Sequence, residues 1–175
     1  MTKQQIIQLI KEKHHAFLQY IQTLTDEEFL YAPEHKWTAA QQLDHIHLSI
    51  KPLTQALGYP TFIPRLLFGK ANRPSRTYEE LINGYNEKLL LGGKASAKYV
   101  PPTIMVNQKE RLIKQIDASI NKMCKHIEKF SETVLNNLIL PQPLLGKITI
   151  KEMLYFTIYH VEQHESFIKR DLNNK

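Results

Sequence analysis

Two histidines, His160 and His164, lie four residues apart in a segment with helical periodicity. Side chains at this spacing are neighbours on one face of a helix. On a helical projection both imidazoles fall in or beside the apolar stripe that runs from Ile150 to Ile168. Two inward-facing imidazoles one turn apart can ligate one divalent ion. The same pattern also suits two core histidines that bond to nearby carbonyl or hydroxyl groups, and the spacing alone leaves both interpretations open.

A third ligand would have to come from another helix, and the sequence offers three candidates. His45 and His47 flank Ile46 on the second helical segment, and His14 lies on the apolar stripe of the first. Residues two apart point about 200° apart on a helix, so only one of His45 and His47 can easily face a given neighbour. The periodicity slightly favours His47, which lies closer to the centre of its stripe, but it does not decide the choice.

Several other kinds of site are disfavoured by the same residues. A di-iron bundle needs two Glu-x-x-His motifs, and Glu12 with His15 forms the one example here. A zinc protease helix has Glu directly after its first histidine, and Val161 holds that place. Cys124 is the single cysteine, which argues against a disulfide framework and against a cysteine-based zinc site.

These side chains must be positioned by the helices that carry them. Four segments have the apolar periodicity of amphipathic helices, at about residues 3–24, 39–57, 108–130 and 150–172. Pro52 falls inside the second segment and predicts a kink or an early end there. The periodicity also places His126 on the outer face of the third segment. Each segment begins with a pair of residues at capping-box spacing. These pairs are Thr2 with Gln5, Thr38 with Gln41, Asn107 with Glu110, and Thr149 with Glu152.

The stretch between residues 58 and 103 has a different composition, with five of the six glycines and five of the nine prolines. Within it, residues 77–91 predict one short helix, because Thr77 and Glu80 repeat the capping box and Gly92 follows its end. No strand pattern of convincing length is present. The sequence therefore predicts an all-α fold, a four-helix bundle with a long crossover connection between helices 2 and 3, in a single domain over residues 1–175.

Composition and charge narrow the class of protein further. The 175 residues are 42% hydrophobic and 23% charged, as in ordinary globular proteins, which argues against disorder. The net charge of +6 is spread along the chain, so we interpret it as an aid to solubility and expect no nucleic acid partner. No apolar segment reaches the roughly twenty residues of a membrane span, and the first residues lack the pattern of a signal peptide. We expect a cytoplasmic protein that binds a small-molecule substrate and no membrane; a homodimer is left open.

Three parts of the chain are similar to one known family. Residues 37–46 read WTAAQQLDHI and resemble the Trp-Ser/Thr…His-Leu/Ile opening of helix two in the DinB/YfiT-like superfamily. Residues 140–141, 146–149 and 159–164 read LP, GKIT and YHVEQH, and resemble that family's closing Pro…Gly…Thr…His-x-x-x-His. Residues 85–102 resemble the middle of one branch of the family. The resemblance covers nearly the whole chain.

The resemblance implies a four-helix bundle that binds one divalent metal ion through three histidines. It makes His45 the third ligand beside His160 and His164, in place of His47, which becomes a packing or supporting residue. His14 becomes a pocket or core residue. Zinc and nickel are the metals that the resemblance favours. Gln41 and Ser49, one turn on either side of His45, are then expected to support the ligands.

Activities in the family differ widely. Relatives include thiol-dependent S-transferases and isomerases that act with low-molecular-weight thiols, and others are classed as metal-dependent hydrolases. The resemblance therefore implies a metal-dependent enzyme that activates water or a low-molecular-weight thiol. The alternative is a helical bundle protein that binds a metal or a small molecule without catalysis. No catalytic residue is assigned beyond the metal ligands.

Overall fold

A computed structural model describes all residues from 1 to 175. The chain is mostly helical, with eight α-helices, two short 3₁₀ turns and one β-hairpin. In order, the elements are α1 (Lys3–Thr23), α2 (Asp26–Leu30), α3 (Ala39–Gly58), α4 (Phe62–Phe68), α5 (Tyr78–Leu90), the 3₁₀ turns Ala97–Tyr99 and Val106–Gln108, α6 (Lys109–Glu128), α7 (Glu132–Asn137), β1 (Ile139–Gln142), β2 (Gly146–Thr149) and α8 (Ile150–Asn173). None of the helices combines the length and the apolar character that a membrane span requires.

The four long helices, α1, α3, α6 and α8, correspond to the four periodic segments. Helix α3 packs against α6 and α8, and α1 packs against the same two helices. Each helix contributes fully buried side chains to one shared apolar core, for example Ile10, Leu43, Ile116 and Leu154. Burial of these apolar faces is the main favourable contribution to folding.

The predicted starts of three long helices, and that of α5, are confirmed as reciprocal capping boxes. They are headed by Thr2, Thr38, Thr149 and Thr77. The predicted cap at Asn107 is wrong. Helix α6 begins two residues later, after a 3₁₀ turn in which the Gln108 side-chain oxygen accepts a hydrogen bond from the Met105 amide at 2.8 Å.

The early end predicted at Pro52 does not occur either, because α3 continues to Gly58. Ile50 and Leu57 are buried in the core on either side of the proline. Their packing holds the helix together across the position where Pro52 cannot donate a backbone hydrogen bond.

A β-hairpin precedes α8, although the sequence predicted no strand. Strands β1 and β2 pair antiparallel, from Ile139 opposite Thr149 to Gln142 opposite Gly146. The turn requires a positive φ of 72° at Gly146, which glycine adopts without steric cost. Thr149 ends β2 and also caps α8, so the hairpin fixes where α8 begins.

The connection between α3 and α6 is anchored to the start of α8 through Glu152, which is fully buried. Arg73 donates two hydrogen bonds to its carboxylate, at 2.6 and 3.0 Å. The backbone amide and the side chain of Arg76 donate two more, at 2.8 and 2.9 Å. Helix α5 then packs along α8. The connection is thus held against the same helix that carries the two spaced histidines.

Candidate metal centre and adjoining pocket

Three of the sequence-predicted site residues lie together in the structure. Helix α3 supplies His45, and α8 supplies His160 and His164; all three are buried. The Nε2 atom of His160 lies 3.2 Å from Nε2 of His45 and 3.0 Å from Nε2 of His164. Nitrogens bound to one zinc ion at 2.0–2.1 Å in tetrahedral geometry are about 3.4 Å apart. The three rings can therefore hold one metal ion between them.

Hydrogen bonds on the far side of two rings determine where their protons are. The Nδ1 atom of His45 donates to the carbonyl oxygen of Tyr99 at 2.6 Å, and Nδ1 of His164 donates to the side-chain oxygen of Gln42. Both oxygens can only accept, so in a neutral ring the lone pair is on Nε2. Two lone pairs therefore point at His160, whose Nε2 can offer at most one proton. A cation among the three nitrogens would satisfy all of them, and ligating histidines are usually held in this way.

Burial also keeps these imidazoles neutral. It lowers the pKa of His160 and of His164 well below the ordinary value of 6.5, and the neighbouring histidines lower both further. Burial lowers the pKa of His45 as well, against the opposing effects of the Tyr99 carbonyl and of Asp44. Neutral imidazoles are the form that binds metal.

The other histidines are outside this group. His47 is buried beside Asp44, and its Nδ1 has no hydrogen-bond partner. Because His45 and not His47 lies in the cluster, the slight preference of the periodicity for His47 is wrong. His14 donates from Nδ1 to the carbonyl of Ile10 at 2.8 Å, and it borders a cavity of about 30 Å³ that His160 also lines. His126 is half-buried, not on the outer face of its helix.

His126 fills space that its helix shares with α3. An added Cβ at Gly58 would lie 3.1 Å from its Nε2 atom, which has no hydrogen-bond partner. The periodicity misplaced this residue because it sits at the edge of the apolar stripe, where the neighbouring helix decides burial.

The supporting residues expected from the sequence are not those that hold the rings. Gln41 accepts a hydrogen bond from the Thr38 amide at 3.1 Å, and Ser49 donates to the backbone carbonyl of His45 at 2.8 Å. Gln42 and Tyr99 hold the rings instead. Gln42 lies three residues before His45, so helical spacing could have indicated it. Tyr99 contributes a main-chain oxygen, which side-chain chemistry does not reveal.

A pocket of about 510 Å³ opens from the three histidines. Aromatic side chains surround the rings: Phe156 stacks on His160 with ring centroids 4.7 Å apart, and Trp37 lies 5.0 Å from His45. The remaining walls come from α3, α4, α5, α8, the β-hairpin and the segment 94–99. Clefts of this size that are mostly apolar and contain a few converging polar groups are typical of small-molecule sites.

Comparison with known proteins was informative at the level of the family. The family model of the DinB superfamily matches residues 9–168, which is most of the chain. Neither the curated proteins nor the solved structures gave a match. The matched range contains all three converging histidines, the whole of α3, and α8 as far as Ile168. The chain therefore belongs to the DinB superfamily.

Proposed function

We propose that the protein is a metal-dependent enzyme in which His45, His160 and His164 bind one divalent ion, zinc or nickel. One observation carries this proposal: the three Nε2 atoms converge, while Tyr99 and Gln42 accept the Nδ1 protons of two of the rings. The proposed architecture is a four-helix bundle of α1, α3, α6 and α8, with residues 59–108 as the crossover between its second and third helices.

Three protein ligands leave a position open for a substrate atom, as in catalytic zinc sites. A divalent ion bound there would lower the pKa of a bound water or thiol. The chain's own residues orient the rings and exclude solvent. Tyr99 and Gln42 fix the Nδ1 protons, and Phe156 and Trp37 cover the ring faces.

Thiol transfer is the reaction that the pocket supports best. The charged side chains in its lining are lysines, and its other ionisable groups are histidines and tyrosines. Hydrolysis uses water, whose proton is far harder to remove, and it gains most from a positioned base. A thiol begins at a pKa of about 8.5 and needs much less help. In the proposed reaction the sulfur displaces a leaving group from an electrophilic carbon, and the thiol proton passes to solvent.

A transfer assay on metal-loaded protein tests this proposal. Cysteine, coenzyme A and glutathione are each supplied with chlorodinitrobenzene, and formation of the thioether is followed by absorbance. We expect turnover with at least one thiol that is lost on chelation and in His164→Ala. His15→Ala, an exposed histidine on α1, is the matched control and should keep full activity.

Two results would change the assignment. One bound metal per chain without turnover for any thiol or ester would indicate a binding protein instead of an enzyme. Hydrolysis of nitrophenyl esters in the absence of thiol, lost in His164→Ala, would favour hydrolysis over thiol transfer.

A further inference from the structure

The lining of the pocket has an apolar part and a charged part. Its apolar part is formed by side chains from four parts of the fold, namely Leu53, Leu89, Leu144, Met153, Phe156 and Phe167. Transfer of apolar ligand surface from water onto such walls is favourable. The pocket therefore suits a ligand with a sizeable apolar body.

The charged part of the lining has a single sign. Lys94 and Lys98 line the pocket, while none of the 17 acidic residues of the chain does. Both lysines are exposed and neither forms a salt bridge within the chain, although carboxylates pair with eight other lysines or arginines. The two ammonium groups remain available to an anionic group on a ligand.

The segment that carries the lysines also supports the histidine cluster. Lys98 Nζ lies 4.8 Å from the centroid of the Tyr99 ring, and the Tyr99 carbonyl accepts the Nδ1 proton of His45 at 2.6 Å. Both lysines are therefore close in sequence to Tyr99, which contacts His45. An anion held there lies at the same pocket as the three imidazoles.

We propose that the pocket binds an amphiphilic anion, with its apolar body against the apolar walls and its anionic group at Lys94 and Lys98. This inference rests on the proposed function in so far as the pocket is the substrate site of the enzyme. It goes further by assigning a substrate class to that site: a molecule with an apolar chain and a carboxylate or similar anion.

Trp37 provides a direct readout, because it is the single tryptophan of the chain and lines the pocket. Its fluorescence is titrated in the zinc-loaded full-length protein with decanoate and with decanol, which has the same chain without the charge. We expect decanoate to bind about tenfold more tightly at low salt, since each exposed charge pair contributes modestly. The advantage should shrink as salt is added, because salt screens exposed charges.

Variants assign the preference to the two lysines. In the double variant Lys94→Gln, Lys98→Gln, decanoate affinity should fall about tenfold, to that of decanol, while decanol affinity stays unchanged. Lys88→Gln is the matched control, an exposed lysine at the end of α5 that does not line the pocket. It should bind decanoate like the unmodified protein. All three lysines are exposed, so the fold should tolerate the changes, and melting temperatures check this.

Two outcomes would overturn the inference: decanol binding as tightly as decanoate, or a double variant that keeps the full decanoate affinity. The titration is repeated with EDTA. If EDTA abolishes decanoate binding and the lysine substitutions do not affect it, the carboxylate binds the metal. That result would refute the inference but would be consistent with the proposed metal site. Zinc content is measured on the same samples, so a failure of the proposed function is seen separately.

Discussion

Replacing Glu152 by glutamine should destabilise the protein strongly, because this carboxylate connects three parts of the fold. It caps α8 by accepting a hydrogen bond from the Thr149 amide at 2.9 Å. It also accepts four hydrogen bonds from Arg73 and Arg76. A neutral glutamine can still complete the capping box. It would leave the two guanidinium groups without their counter-charge.

The size of the effect follows from the pKa of this group. Burial raises the pKa of Glu152, but the hydrogen bonds from the two arginines outweigh burial and bring it to about 2, from an ordinary value of 4.5. Since each pKa unit corresponds to about 1.4 kcal/mol, the ionised carboxylate stabilises the fold by at most about 3 kcal/mol. Arg73 is 39% exposed, and solvent screening reduces its share. We expect a loss of about 2 kcal/mol at neutral pH.

Urea denaturation followed by circular dichroism measures the loss, at neutral pH and at a series of lower pH values. The lowered pKa means that this stability is fully present above about pH 4.5 and is lost as the pH falls through about 2. The difference between the two proteins should shrink over that range. Glu80→Gln is the matched control, because Glu80 holds the same place in the capping box of α5 but is exposed and bonds no arginine. It should change stability little at any pH.

Equal losses in the two variants would contradict the assignment of the effect to Arg73 and Arg76, and would leave only the cap. A loss in Glu152→Gln that stays the same down to pH of about 2 would contradict the electrostatic origin.

Four further outcomes are expected. Gln42→Leu removes the acceptor of the His164 Nδ1 proton, so zinc affinity should fall about 10–100-fold in a chelator competition, while an unchanged affinity would refute that role. The rise in melting temperature on adding zinc should be large at about pH 8 and absent near about pH 5, because protons compete with the metal for the imidazoles. The metal-free protein should itself lose stability below about pH 6.5, since burial lowers the pKa of His160 and His164 and the unfolded chain takes up protons that the folded chain does not. Burial raises the pKa of the Cys124 thiol to about 11, so Ellman's reagent should modify it only on unfolding, and rapid reaction of the folded protein would contradict its placement in the core.

The parts of the fold that the sequence predicts well depend on local patterns. Capping boxes at Thr38 and Thr149 place the starts of α3 and α8, since the residues that satisfy the first free amides are only three positions apart. The inward direction of His160 and His164 follows from their spacing on one apolar stripe. These features can be predicted without knowing where the neighbouring helices lie.

The parts that the sequence misses depend on contacts between distant segments. His45 and His47 are both buried on α3, and the packing of α3 against α8 decides which one reaches the cluster. The family resemblance selected His45, whereas periodicity did not. The bond from His45 to Tyr99 joins residues 54 positions apart through a backbone carbonyl. The sequence did not predict the β-hairpin because its strands have four residues each, too few for a clear alternation of apolar and polar residues.

Zinc content after reconstitution tests the central claim most directly. The protein and its variants His45→Ala, His164→Ala and His15→Ala are incubated with excess zinc, dialysed against a weak chelator, and analysed for zinc per chain by mass spectrometry. The three-histidine site predicts one zinc ion per chain in the unmodified protein and in His15→Ala, and almost none in the other two, because two imidazoles hold the ion far more weakly than three. Equal zinc content in all four proteins would contradict the site.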